Sequence, residues 1–113
     1  MKLIFVYNAD SGILNALKDA FHKTFFPKSY PCSLCALTYG ATSELKQWQQ
    51  FRKNTPVPMI FLHKDEYESR FKTKFDYPIV LQQKDELESI ITADEMNGFK
   101  DLNELINRLK ELL

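Results

Sequence analysis

The chain has 113 residues, 44% of them apolar, which suits one domain with a single packed core. Fifteen basic and fifteen acidic side chains cancel, and the lysines are scattered. A nucleic-acid binder needs a basic face to release phosphate counterions, so the reading is no nucleic acid. No stretch approaches the roughly 20 apolar residues that span a bilayer, so no membrane is expected either.

Leu3 to Tyr7 is a continuous apolar run rich in β-formers, the pattern of a buried central strand. It is short and turns polar at once, at Asn8 and Asp10, unlike a signal peptide. The expected compartment is therefore the cytoplasm, where thiols stay reduced. Asn8 to Gly12 reads as a turn, with Asp10 or Ser11 able to cap the next helix. Ile13, Leu17, Phe21 and Phe25 recur every four residues, one face of an amphipathic helix ended by Pro27.

Lys28 to Pro31 is a connector. Cys35 to Tyr39 is a short apolar run, expected as a strand that Gly40 ends. Thr42 or Ser43 can cap a helix whose inner face is Leu45, Trp48 and Phe51. Val57 to Leu62 is a further strand, with Pro58 limiting pairing at its start. Asp65 and Glu68 have capping-box spacing for a short helix with Tyr67 and Phe71 on one face. Ile79 to Gln82 and Leu87 to Thr92 form an antiparallel pair around the turn Lys84–Glu86. Asp101 and Glu104 open a last helix with Leu102, Leu105, Ile106 and Leu109 as its apolar stripe.

The expected fold class is thus α/β: three parallel strands followed by a C-terminal β-hairpin in one mixed sheet, flanked by helices. The stretch from Tyr77-Pro78 through the hairpin to the closing helix resembles the thioredoxin superfamily. Pro78 would match the cis-proline of thioredoxins. The resemblance covers most of the chain as a single thioredoxin-like domain, 1–113, with 28–56 as an insertion carrying the cysteines. In thioredoxins the Cys-x-x-Cys opens the first helix, and here Asp10 to Ile13 hold that place. The family's catalytic residues therefore do not carry over. The segment Tyr30 to Gly40 also looks like small bacterial proteins with a displaced Cys-x-x-Cys. Some of those carry a GTPase label, but this chain has no Walker-type glycine loop.

The only cysteines, Cys32 and Cys35, leave three readings open. They can be a catalytic dithiol-disulfide pair that uses no cofactor. They can be small buried groups of a non-enzymatic module that binds a protein or small-molecule partner. With His22 they can supply three ligands of a zinc site. Simple topology puts them after the first helix, at the sheet end away from Pro78. The opposite end, where parallel strands finish, gathers a candidate ligand-binding set: Asn8, Asp10, Ser11, His63, Asp65 and Pro78. Ser11 and His63 with either Asp65 or Asp10 have the residue types of a nucleophilic triad. Helix capping accounts for the same serine and aspartates without a substrate.

Overall fold

The structure is a computed structural model describing residues 1–12, 32–40 and 43–113. The expected helix Ile13–Phe25, with His22, the connector Lys28–Pro31 and Thr42 lie outside these residues. The elements are β1 (Lys2–Tyr7), α1 (Ser33–Thr38), α2 (Lys46–Asn54), β2 (Met59–His63), α3 (Lys64–Phe71), β3 (Ile79–Gln83), β4 (Leu87–Ile91), α4 (Ala93–Gly98) and α5 (Leu102–Leu112).

Four strands form one sheet in the order β2-β1-β3-β4. β1 runs parallel to β2, with Leu3 opposite Met59 and Tyr7 opposite His63. It runs antiparallel to β3, with Val6 opposite Ile79, and β3 is antiparallel to β4. The expectation of three parallel strands plus a hairpin is therefore corrected: the described strands include one parallel pair, and the stretch expected as a third parallel strand is helix. Cys35–Tyr39 resembles a strand in sequence because it is short and apolar. In α1, Leu34 and Thr38 stand one helical turn apart and are both buried. The Thr38 hydroxyl donates to the Leu34 carbonyl at 2.8 Å. Between them Cys35, Ala36 and Leu37 include no β-branched residue to resist the helix.

Burial explains why β1 is apolar throughout. Successive side chains of a strand point to opposite faces. Leu3 and Phe5 enter one core with Leu34, Trp48, Val80, Met96, Leu105 and Leu109. Ile4 and Val6 enter a second core with Tyr67, Ile79 and Leu81. Helices α1, α2, α4 and α5 supply the first layer and α3 the second. Phe5 is central to the first. Its ring stacks on Phe61 at 4.8 Å and meets Trp48 edge-on at 5.7 Å. Each such fully buried side chain contributes about 1.5–3 kcal/mol relative to exposure.

Capping sets the starts of α3, α4 and α5, whereas α2 begins after Leu45 without a side-chain cap, so Ser43 is not its cap. The Asp101 carboxylate accepts the Glu104 N–H at 3.0 Å. At α3 the box begins two residues before the expected one. His63, not Asp65, is the cap, and the Glu66 carboxylate accepts the His63 N–H at 2.8 Å. α4 has no counterpart among the expected elements. Its signature is nonetheless written in the chain as Thr92-x-x-Glu95, and the Thr92 hydroxyl accepts the Glu95 N–H at 3.3 Å. The Tyr77-Pro78 bond is cis.

Candidate functional site

Cys32 lies at the N-cap of α1 with extended backbone, φ −105° and ψ 93°. Its Sγ accepts the Cys35 N–H at 3.3 Å. Cys32 is wholly buried in the core, whereas Cys35 is half-buried, and both are present as thiols. The pair thus opens a short helix rather than preceding a strand, which corrects the expectation for this segment. An N–H aimed at sulfur at a helix start can offset negative charge forming there. The first turn of α1 is tied down next door, where the Ser33 hydroxyl donates to Asn97 Oδ1 of α4 at 2.6 Å.

The pair is also not remote from the carboxyl end of β1. Tyr7 ends that strand, and Cys35 is among the groups acting on its phenol. Burial, first, then the neighbouring Tyr39 and Cys35, push the Tyr7 phenol far above its ordinary value of 10.0. Tyr39 follows α1 and pairs with Glu44 in an isolated antiparallel bridge. Glu44 forms an ion pair with Arg52 of α2, and its side chain is only 13% exposed. The Arg52 guanidinium lies over the Phe61 ring, 5.3 Å from its centroid. Phe61 in turn stacks on Tyr7 at 6.2 Å, and the His63 ring is 5.6 Å from Tyr7. Pro78 is buried and immediately precedes Ile79, the partner of Val6. It therefore stands at the same end of β1 as Tyr7.

Sequence reasoning places Tyr39 at this end of the sheet but misses Tyr7, Glu44 and Arg52. Tyr7 and Tyr39 both end expected strands, and a strand-end tyrosine is unremarkable by itself. Arg52 is one turn beyond Trp48 on a helix with a solvated face. Only chain pairing brings them to one place.

The ligand-binding set divides. The Ser11 hydroxyl donates to Asp65 Oδ2 at 2.6 Å and the Ser11 N–H to Asp65 Oδ1 at 2.9 Å. His63 Nδ1 pairs instead with Glu66 Oε1 at 2.7 Å. A triad places the imidazole between hydroxyl and carboxylate. Here serine donates straight to its carboxylate and histidine serves another one, so the relay is not assembled. The Ser11 bonds hold the Asp65 carboxyl below the usual 3.8. The His63 backbone and ring do the same for Glu66, below 4.5. Both carboxylates act as ties between the β1 loop, β2 and the start of α3. The Lys64 N–H adds another, donating to the Ala9 carbonyl at 3.1 Å.

Asn8, Asp10, Lys64, Asp65, Glu68 and Asp76 line a shallow cleft of about 440 Å³ beside these ties. Its carboxylates outnumber its single lysine, so it repels anionic ligands. Tyr77 also borders it, its hydroxyl donating to Glu68 Oε2 at 2.8 Å. Desolvation pushes that phenol up to about 12. Among the described residues no group of three or more His, Cys, Asp and Glu side chains could hold a metal ion. The zinc set needs His22, which lies outside them. No helix among the described residues is long and apolar enough to cross a membrane. Compared with family models, curated proteins and solved structures, the chain matches none.

Proposed function

We propose that this is a cytoplasmic thiol protein, akin to the thioredoxin superfamily, that uses Cys32 and Cys35 as a dithiol-disulfide pair. The observation that carries the reading is the helix start: Cys32 Sγ accepts the Cys35 amide at the N-cap of α1. Residues three apart on a helix share a face, so the two side chains are neighbours. Pro78, the residue matched to the family's proline, supports it from the same end of β1.

In this reading access assigns the roles. Cys35, half-buried, attacks one sulfur of a disulfide R–S–S–R′ as thiolate. The S–S bond breaks, and R′S⁻ leaves and takes up a proton. Cys32, wholly buried and deprotonated in turn, attacks the Cys35 sulfur and releases RS⁻, which is protonated. Two electrons pass to the substrate, and a Cys32–Cys35 disulfide remains for an external dithiol to reduce.

The test is turnover of a model protein disulfide with dithiothreitol as reductant. Cys32→Ser and Cys35→Ser are each expected to abolish the protein-dependent rate. Unchanged turnover in both variants refutes the proposal.

The complete burial of Cys32 favours a second reading, a non-enzymatic module that binds a protein or small molecule and keeps its thiols as packing groups. That reading expects both thiols to resist alkylation in the native protein, and rapid modification of Cys35 speaks against it.

A further inference from the structure

The turn that carries the thiols is held to α4 at two levels, and its chemical consequence rests on the dithiol reading. In the interior, Cys32 and Leu34 share one core with Met96, a buried residue of α4. At the surface, Ser33 stands between the two cysteines and donates its hydroxyl to Asn97 Oδ1 at 2.6 Å. Asn97 is exposed and comes directly after Met96. α4 is fixed in its turn. The Thr92 hydroxyl accepts the Glu95 N–H at 3.3 Å, and the Glu95 carboxylate pairs with Arg108 of α5 at 2.7 Å. α5 is anchored by Leu105 and Leu109, both wholly buried. Support therefore runs from a core helix through α4 to the thiol-bearing turn.

Disulfide geometry is specific, and closing the pair freezes backbone and rotamers that a loose turn leaves free. Here the turn is already ordered from within. Cys32 Sγ accepts the Cys35 N–H at 3.3 Å, and the Cys32 carbonyl accepts the Ala36 N–H at 3.0 Å. The Ser33–Asn97 bond adds a hold from outside α1. We propose that Asn97 is a positioning residue for the thiol pair. By holding Ser33 it keeps the Cys32–Cys35 turn in the shape in which the disulfide closes. It thereby raises the effective concentration of one thiol at the other. Asn97 needs no contact with either sulfur for this.

The experiment equilibrates the chain with mixtures of oxidised and reduced glutathione. Closure consumes one oxidised glutathione: both thiols give up their hydrogens, the Cys32–Cys35 bond forms, and two reduced glutathione molecules are released. Acid quenching, unfolding, alkylation and mass spectrometry give the closed fraction, and from it the effective concentration. Ser33→Ala and Asn97→Ala are each expected to lower that concentration by about threefold or more. The double variant is expected to fall no further than either single one, because each loses the same bond. Gln47→Ala breaks a different side-chain bond between helices, that of Gln47 to Asn103, and is expected to leave closure unchanged. In a Cys32→Ser background only a mixed disulfide at Cys35 can form. Asn97→Ala is expected to leave its equilibrium at the parent value, since no ring closes there. Closure equal to the parent in both Ser33→Ala and Asn97→Ala overturns the inference. So does an equal fall in Gln47→Ala, or a mixed disulfide that shifts as much as the closed pair. If Ser33→Ala fails to fold by circular dichroism, Asn97→Ala alone decides, since its side chain is exposed. A parent chain that stays reduced at every glutathione ratio defeats the dithiol reading and the inference with it. A parent that closes while its variants superimpose on it defeats the role of Asn97 alone.

Discussion

Cys32→Ala tests whether the N-cap thiol belongs to the core as well as to the site. Cys32 is 0% exposed and packs with Leu34, Trp48 and Met96. Deleting its sulfur removes roughly the transfer energy of one methylene, about 0.8 kcal/mol, before any cavity term. It also removes the acceptor for the Cys35 amide, and loss of an N-cap acceptor costs about 1 kcal/mol. The sum is about 2 kcal/mol, or a fall in Tm of roughly 8 °C for a chain of this size. Cys35→Ala deletes a half-buried sulfur for which no capping bond is at stake, and is expected to cost well under 1 kcal/mol. Thermal and urea unfolding under reductant would be monitored by the fluorescence of Trp48, the only tryptophan, whose ring sits 5.7 Å from Phe5. A Cys35→Ala cost equal to or above that of Cys32→Ala refutes this reasoning. So does a Cys32→Ala protein as stable as the parent.

Three other outcomes are expected. Gly12 has φ 116°, where a Cβ is strained, so Gly12→Ala should cost about 1–2 kcal/mol in urea unfolding. Asp65 and Glu66 are held below their ordinary values, so their contribution is complete above about pH 5 and fades as pH falls through the depressed folded values. A urea midpoint measured from pH 2 to 7 should decline on acidification, and less steeply in Ser11→Ala and Glu66→Gln, whose combination should flatten it further. Leu105, wholly buried in the first core, should cost about 3–4 kcal/mol as Leu105→Ala, and a loss below 1 kcal/mol would contradict the docking of α5.

The carboxylate-tied cleft lies at the carboxyl end of β1. Ser11, His63, Asp65 and Glu66 are visible in the sequence as polar residues at strand ends and helix starts, and as such they serve: each hydrogen-bonds to backbone or to another of the set. The reactive candidates sit on the face of Leu3 and Phe5, packed between sheet and α1. On that face Tyr7 is joined through Phe61 to Arg52 of α2.

Local pattern was enough for β1, for β2 within two residues, for the β3–β4 hairpin and for α5. A run of apolar residues or a 3.6-residue period is written within a single segment, and burial on one or two faces enforces it. Cap chemistry is equally local, which is why Asp101 and Glu104 were legible. Only the tertiary structure decided that 33–38 is a helix, because a six-residue apolar stretch satisfies either period until Leu34 and Thr38 have a surface to face. It alone decided that β1 lies between β2 and β3, with one parallel and one antiparallel neighbour. And it alone brought Tyr7, Cys35, Glu44 and Arg52 together, since strand pairing and helix packing join residues whose separation along the chain carries no period to read.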